Sequence, residues 1–323
     1  MEQNLPFDQV YTTYKPLLFA LAYRMLGSVM DAEDAVQEAF LHYNEPQPEP
    51  VRNVKAYLCR VVTNRAIDRL RSASKQREVY VGPWLPEPLV GEETALTSEP
   101  AASFMLKESV STAYLLLLQQ LSWVERAVFI LREVLQYEYE EIAEIVDKSP
   151  ANCRQIFHRA KRSISGTSRA GADAEVEVDA VAETDMGKRT TRPSSGPPSE
   201  PVGSSIVERF VQALHTGNLT ALMELLTQDA VLQSDGGGKV TAAIRPILGA
   251  DRIARFLLGV IEKVPTDFRI QLTEVNGYMG IVGYDGSEPI NVISFQLEAD
   301  SIAGIYLVLN PDKLQHIPGG QLS

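Results

Sequence analysis

The run at 51–77, VRNVKAYLCRVVTNRAIDRLRSASKQR, constrains this chain more than any other stretch. It carries Arg52, Lys55, Arg60, Arg65, Arg69, Arg71, Lys75 and Arg77 against the single acid Asp68, inside a protein of formal net charge −12. A local excess set against the global sign points to a polyanion partner. Val54, Leu58, Val61 and Val62 keep helical spacing, so one face of the predicted helix packs inward. At about 100° per residue, Arg60, Asn64 and Arg71 fall together on another face, as in a helix laid against phosphates. Arg65 and Arg69 fall within the apolar arc, where pairing with Asp68 is the alternative to touching DNA. A solvated basic face would carry the same charges, so a second, independent signal is needed.

That signal lies at 139–162. YEEIAEIV reads as a short helix with small Ala143 in its middle, Asp147 and Lys148 as a tight turn, and Ser149-Pro150 as the N-cap and first residue of another helix. Cys153, Ile156, Phe157 and Ala160 repeat at i, i+3, i+4 and i+7 and face the core. Asn152, Arg154, Gln155, His158, Arg159, Lys161 and Arg162 are left outside, and 148–169 holds no acid. A helix-turn-helix whose second helix is basic and bears Asn and Gln suits the major groove, where amides pair with adenine edges and Arg with guanine or phosphate. Plain helix packing is the alternative, and it leaves the one-sided charge unexplained.

The rest of the N-terminal half is helical. Residues 7–26 carry an apolar stripe, with Pro16 read as the first-turn residue of a second segment and Gly27 as the stop. Ser28 and Asp31 open a new helix in which Ala32, Ala35, Val36, Ala39 and Phe40 face inward. Asp31, Asp34 and Glu38 line its far side with no Lys or Arg among them, as either a solvated face or a docking surface for a basic helix. Prolines mark a turn over 44–50. Residues 80–100 form a proline-rich, mainly acidic linker whose Trp84 and Leu85 should bury against something. Ser122 and Glu125 form a capping box that opens WVERAVFILREVL. Residues 163–205, poor in apolar bulk and aperiodic, read as a flexible tether.

From 206 the pattern changes class. Two helices, IVERFVQALHTG and LTALMELLTQDA, precede a short strand VLQS, the turn DGGGK and a helix ADRIARFLLGVIEKV. Strand-like runs follow, FRIQLTEV, YMGIVGY, INVISFQLE and IAGIYLVLN, joined in part by the hairpin signals Asn276-Gly277 and Asp285-Gly286. Helices and an antiparallel meander indicate an α+β domain with a curved sheet. Its strands offer Gln271, Glu274, Asn276 and Gln296 but no paired Asp and His, so an enzyme is not expected. DGGGK lacks the spacing of a phosphate loop.

Composition closes off other classes. No window of 18 apolar residues occurs and 1–10 lacks a signal-peptide layout, so a cytoplasmic protein without a membrane contact is expected. Cys59 and Cys153 read as reduced thiols, and His42, His158, His215 and His316 show no metal spacing. No cofactor or metal is expected.

As a set, these motifs resemble the extracytoplasmic-function (ECF) sigma factors, promoter-specificity subunits of bacterial RNA polymerase. RMLGSVMDAEDAVQEAFL and VKAYLCRVVTNRAIDRLR look like the region-two helices, and EIAEIVDKSPANCRQIFHRAK like the region-four helix-turn-helix. WLPEP (84–88), DGGGK (235–239) and NPDKL (310–314) look like the marks of the ECF group with a fused SnoaL-like domain. The resemblance implies a multidomain fold: two all-α sigma modules, the second with the helix-turn-helix, and a C-terminal α+β cone. The expected boundaries are 1–78, a linker at 79–103, 104–165, a tether at 166–204, and 205–323.

It also implies roles and partners. Asp31, Asp34 and Glu38 would dock on core RNA polymerase. Arg60, Asn64, Arg65, Asp68 and Arg71 would hold the unwound minus-ten strand of promoter DNA. Ser149, Asn152, Arg154, Gln155, His158, Arg159 and Arg162 would read the minus-thirty-five element. Trp84, Leu85, Pro86 and Glu87 of the linker would meet Asp235, Gly236, Gly237, Gly238, Lys239, Asn310, Pro311, Asp312, Lys313 and Leu314 in an intramolecular regulatory contact. Two departures stand out: Asp147 occupies a turn position where the family usually has Gly, and the tether is long. The competing expectations are a DNA-binding regulator that works without polymerase, and a sigma factor whose cone senses a small molecule.

Overall fold

The computed structural model describes residues 6–46, 51, 53–77, 79–91, 110–169 and 202–320. The rest of the proline turn (47–50), Arg52, the later linker (92–109) and most of the tether (170–201) lie outside the described residues.

Three helices come first: α1 (Phe7–Leu26), α2 (Val29–Asn44) and α3 (Val54–Arg77). Helix α1 is continuous through Pro16, contrary to the expected break. An interior proline costs about 3 kcal/mol, but Tyr14, Leu18 and Leu21 on both sides of it are buried in one core. Gly27 ends α1 in the left-handed region at φ 68°, its N–H bonding to the Tyr23 carbonyl. Ser28 then caps α2, accepting from Asp31 N at 3.2 Å.

Among the described residues four more helices follow: α4 (Thr112–Gln119), α5 (Trp123–Phe129), α6 (Tyr139–Val146) and α7 (Pro150–Arg169). The Ser122/Glu125 capping box forms at the start of α5, and the chain widens into a π-helical turn over Ile130–Val134. Asp147 adopts φ 52°, ψ 56° between α6 and α7. A non-glycine residue there carries about 1–2 kcal/mol of strain.

The two helical units do not have separate cores. Leu18, Met25, Leu58 and Val62 of the first join Leu118, Phe129, Ile142 and Ile156 of the second in one cluster, and α3 lies against α6 and α5. Among the described residues, no helix is long and apolar enough to cross a membrane.

The C-terminal part begins with α8 (Val202–His215) and α9 (Leu219–Leu225). Here α9 is shorter than expected and the strand longer, because Leu226–Asp235 (β1) pairs along its length with a later strand. After β2 (Ile247–Leu248) and α10 (Ala250–Ile261) come β3 (Phe268–Val275), β4 (Tyr278–Asp285), β5 (Glu288–Glu298) and β6 (Ser301–Val308). The sheet order is β2-β1-β6-β5-β4-β3. The four last strands form the antiparallel meander, but β1 runs parallel to β6, so the sheet is mixed.

The two faces of this sheet bury different things. One packs on α8–α10 through Phe210, Leu222, Ile253, Ile281, Phe295 and Ile305, which form one buried cluster. The other places Val282, Val292 and Val308 against Leu85 of the linker, Leu314 and Ile317 of the tail, and the half-buried Ala113 and Leu116 of α4. An antiparallel sheet face that could stand in water is thus covered by the N-terminal half.

Candidate promoter-binding face and interdomain joint

Helix α3 presents Arg60, Asn64, Asp68 and Arg71 on its exposed side. Asp68 lies 3.5 Å from Arg71, whose guanidinium stacks 5.6 Å from the Trp123 ring of α5. The other two arginines point back to α2. Arg69 bonds to Asp31 at 2.5 Å and Asp34 at 2.9 Å, while Arg65 reaches Glu38 at 3.1 Å and His42 at 2.8 Å. The acidic side of α2, which carries no cation of its own, is therefore faced by cations from α3, and Asp68 is not the partner of either arginine.

Helix α7 buries Cys153, Ile156 and Phe157 and exposes Asn152, Arg154, Gln155, His158, Arg159 and Arg162. Ser149 caps it, accepting from Asn152 N at 3.3 Å. Arg154 stacks 4.9 Å from the Tyr139 ring, and Arg159 lies 3.9 Å from Glu125. The capping hydroxyl and the stacked Arg154 fix the start of the helix, and Asn152 and Gln155 stand clear of it.

Between the two halves, Asp235 at the end of β1 is fully buried. Its carboxylate accepts from Tyr80 Oη at 2.5 Å, Leu85 N at 2.8 Å, Lys313 Nζ at 2.7 Å and Gly237 N at 3.0 Å. Four donors around one carboxylate are what a buried charge requires. Lys313 also donates to the Leu85 carbonyl and sits 3.9 Å over the Trp84 ring. Trp84 in turn covers Gly27, where an added Cβ would come within 2.9 Å of the indole. Asn310 donates to Tyr80 Oη at 3.0 Å, and its amide closes on Gly237, where a Cβ would lie 2.3 Å from Asn310 Nδ2. Gly237 and Gly238 have φ 59° and 71°. Lys239 and Asp312 form an exposed ion pair at 2.6 Å on the rim. Pro311 opens the short helical turn that carries Lys313, and Leu314 packs beside Leu85.

On the other side of the linker, Glu87 caps α2. Its carboxylate accepts from Ser28 Oγ at 2.9 Å and Val29 N at 2.6 Å, and its N–H donates to the Gly27 carbonyl at 2.9 Å. An acid at a helix N-terminus satisfies orphan donors and meets the positive end of the helix dipole. Pro86 packs at Gly27.

Residues 10–76 match the Sigma-70 region 2 family and residues 111–164 the Sigma-70 region 4 family. The ECF RNA polymerase sigma factor SigJ of Mycobacterium tuberculosis is 30% identical over 312 residues, 93% of this chain and 91% of that one. The chain belongs to the ECF sigma factors. A probable ECF sigma factor SigI of the same species is 26% identical over 97% of both chains. The crystal structure of M. tuberculosis SigJ superposes with a TM-score of 0.69 at 26% identity, covering 95% of this chain and 97% of that one.

As a sigma factor, the protein directs promoter recognition and transcription initiation, and its region 2 and region 4 units are joined by contacts that the sequence left unread. Arg126 of α5, buried between the units, donates to the Met25 carbonyl at the end of α1 at 2.6 Å and to the Leu118 carbonyl at 2.8 Å. Cys59 of α3 touches Tyr137 Oη at 3.2 Å, and burial pushes the Cys59 thiol up. Asn276, at φ 50° in the β3–β4 turn, points into the sigma units and not into the cone. Thr112 Oγ1 meets Ser294 Oγ of β5 at 2.7 Å. The Asn-Gly pair was visible as a turn; nothing local said that its side chain would leave the domain.

Proposed function

We propose that the packed arrangement is the resting state of the sigma factor, in which the C-terminal domain holds region 2 and region 4 too close to engage a promoter. Arg60, Asn64, Arg65, Asp68 and Arg71 form the minus-ten surface, and Ser149, Asn152, Arg154, Gln155, His158, Arg159 and Arg162 the minus-thirty-five surface. Asp31, Asp34 and Glu38 dock on core polymerase. Elements roughly 25 base pairs apart lie about 85 Å apart along DNA at ~3.4 Å per pair. A globule of about 160 residues spans only roughly 40 Å. Region 2 and region 4 share one core, so both surfaces reach the promoter only after that core opens.

The observation that carries this reading is the buried Asp235, which grips the linker between region 2 and region 4 from the C-terminal domain. The domain acts as a brake and not as a catalyst: its joint with the linker is built on the buried Asp235–Lys313 pair, and its strands bring no paired Asp and His together among the described residues.

Dyes placed at Ser72 of α3 and Glu144 of α6, both exposed, test the proposal in the full chain. Energy transfer should be high for the free protein and fall in the complex with core polymerase and promoter. Transfer unchanged in a complex that initiates transcription overturns it. Promoter binding by the free protein as tight as in that complex would favour a polymerase-independent regulator.

A further inference from the structure

Among the described residues, strand β3 is the last strand of the sheet, and its outer side meets the linker only at its end near Val275. Val275 pairs with Tyr278 across the two-residue turn, so residues 269, 271, 273 and 275 spend their backbone groups on β4. Residues 270, 272 and 274 turn theirs outward by the same alternation. The chain's own linker confirms this phase: Gly91 N donates to the Glu274 carbonyl at 3.0 Å and Asn276 N to the Leu89 carbonyl at 2.8 Å, and Val90 bridges Val275 in antiparallel sense. Among the described residues the ladder stops there. Among the described residues, no partner meets the outward amides and carbonyls of Ile270 and Leu272.

The two faces beside this edge differ. On one, Phe268, Ile270 and Leu272 floor an open groove of about 810 Å³ against α8, with Glu208 and Glu262 on its lining. On the other, Gln271 and Thr273 line a second, polar recess of about 500 Å³. Proteins usually blunt an exposed edge with proline, a bulge or a dense run of charge. FRIQLTEV has no proline, and its pairing with β4 has no bulge.

We propose that the β3 edge at 270–273 docks an extended segment of a partner protein by strand addition. The segment is apolar at the positions that face Ile270 and Leu272, polar at those that face Gln271 and Thr273, and basic where it passes Glu208 and Glu262. Backbone bonds to Ile270 and Leu272 supply affinity, and the alternating grooves supply selectivity. The linker has already made the first step of that ladder, so the added strand abuts Gly91 and, through Leu89, the joint at Asn276. A partner's strand would thereby be sensed next to the contact that holds the sigma units. The binding itself does not depend on the resting-state reading.

The test uses the full chain and a fluorescein-labelled peptide, Lys-Val-Thr-Val-Thr-Val-Thr-Lys, followed by anisotropy. Leu272→Pro deletes only an outward N–H and leaves the β4 ladder its donors, so binding should weaken at least about tenfold, or roughly 1.4 kcal/mol. A peptide N-methylated at its valines should lose as much on the unaltered chain, which keeps the test intact if Leu272→Pro fails to fold. Glu208→Lys with Glu262→Lys should weaken binding about fivefold at low salt. Binding indifferent to both N-methylation and Leu272→Pro overturns the proposal. So does absence of saturable binding, as when the linker beyond Gly91 or a second copy of the chain already holds the edge; sedimentation identifies the latter as a dimer.

Discussion

The side-chain nitrogen of Asn276 donates to Tyr23 Oη at 2.7 Å, across 253 residues of chain. The same nitrogen donates to the Val110 carbonyl at 2.8 Å, and the amide oxygen accepts from Leu89 N at 3.2 Å. Tyr23 Oη in turn donates to the Glu87 carbonyl at 2.6 Å. One amide of the C-terminal domain therefore ties together region 2, the linker and the entry to region 4, with only 2% of its surface exposed.

Replacing Asn276 by Ala leaves the Leu89 amide and the Val110 carbonyl buried without partners, at about 1–3 kcal/mol each. It also puts a Cβ without a compensating side chain at a positive φ. Stability should fall by about 2–5 kcal/mol, read as a lower denaturation midpoint. Asn276→Gly keeps the turn and loses the bonds, so it should retain about 1 kcal/mol of the difference. Both variants should initiate transcription at lower concentration than the parent if the joint is a restraint.

At Asp235 the loss is one of charge. Asp235→Asn leaves the Lys313 ammonium buried without that carboxylate's charge, and removing one member of a buried pair costs about 3–5 kcal/mol. Lys313→Met strands the carboxylate instead, although Tyr80, Leu85 and Gly237 still donate to it. Asp235→Asn with Lys313→Met should be more stable than the sum of the single losses predicts. Urea denaturation of the four proteins gives the coupling; strict additivity would mean that the two groups act separately.

The pattern of what the sequence disclosed follows from range. The caps at Ser28 and Ser122, the stop at Gly27 and the core phase of Cys153, Ile156 and Phe157 depend on neighbours within one turn of helix. Each was readable for that reason. Pro16 was misjudged because the burial that overrides its local cost comes from other helices. Strand β1 was read short because its partner, β6, lies some 70 residues on and runs parallel to it. The pairing of Arg69 with Asp31 and Asp34 was not legible because ion pairs between helices have no signature in spacing along either one. The shared core of region 2 and region 4 was likewise invisible: an apolar stripe states that a face is buried, not against what.

Alkaline titration should loosen the joint. Burial raises the pKa of Tyr23, and burial with the Asp235 carboxylate raises that of Tyr80. Burial, then the neighbouring Cys59, does the same for Tyr137, and burial pushes Tyr306 up to about 12. A folded pKa above the ordinary value of about 10 means that the folded form holds its proton longer. Their contribution is therefore complete below about pH 10 and declines as the pH rises beyond it. Dye-to-dye transfer between α3 and α6 should fall above about pH 10, and Tyr80→Phe, which cannot ionise, should move the onset upward.

Helix α7 should divide its work between reading and holding. Gln155→Ala should cost about 1–3 kcal/mol against the preferred minus-thirty-five sequence and blur the base preference at one position. Arg159→Ala should weaken binding evenly across sequences and lower the salt slope by about 1. Footprinting of the polymerase complex on promoter variants, over a range of salt, separates the two. Arg154→Ala should act chiefly through the lost stacking on Tyr139.

Arg69 decides how the acidic side of α2 is used. Its bonds to Asp31 and Asp34 are partly exposed, so deleting them should cost stability no more than about 1 kcal/mol. Docking on a basic helix is another matter, because the incoming cations must compete with Arg69 for the same carboxylates. Arg69→Ala should therefore tighten association with core polymerase a few-fold at low salt, and the gain should vanish as salt screens the pair. Asp31→Asn with Asp34→Asn should weaken it at any salt. If Arg69→Ala weakens association as much as the double aspartate change, Arg69 belongs to the docking surface, and the competition inferred from its position is wrong.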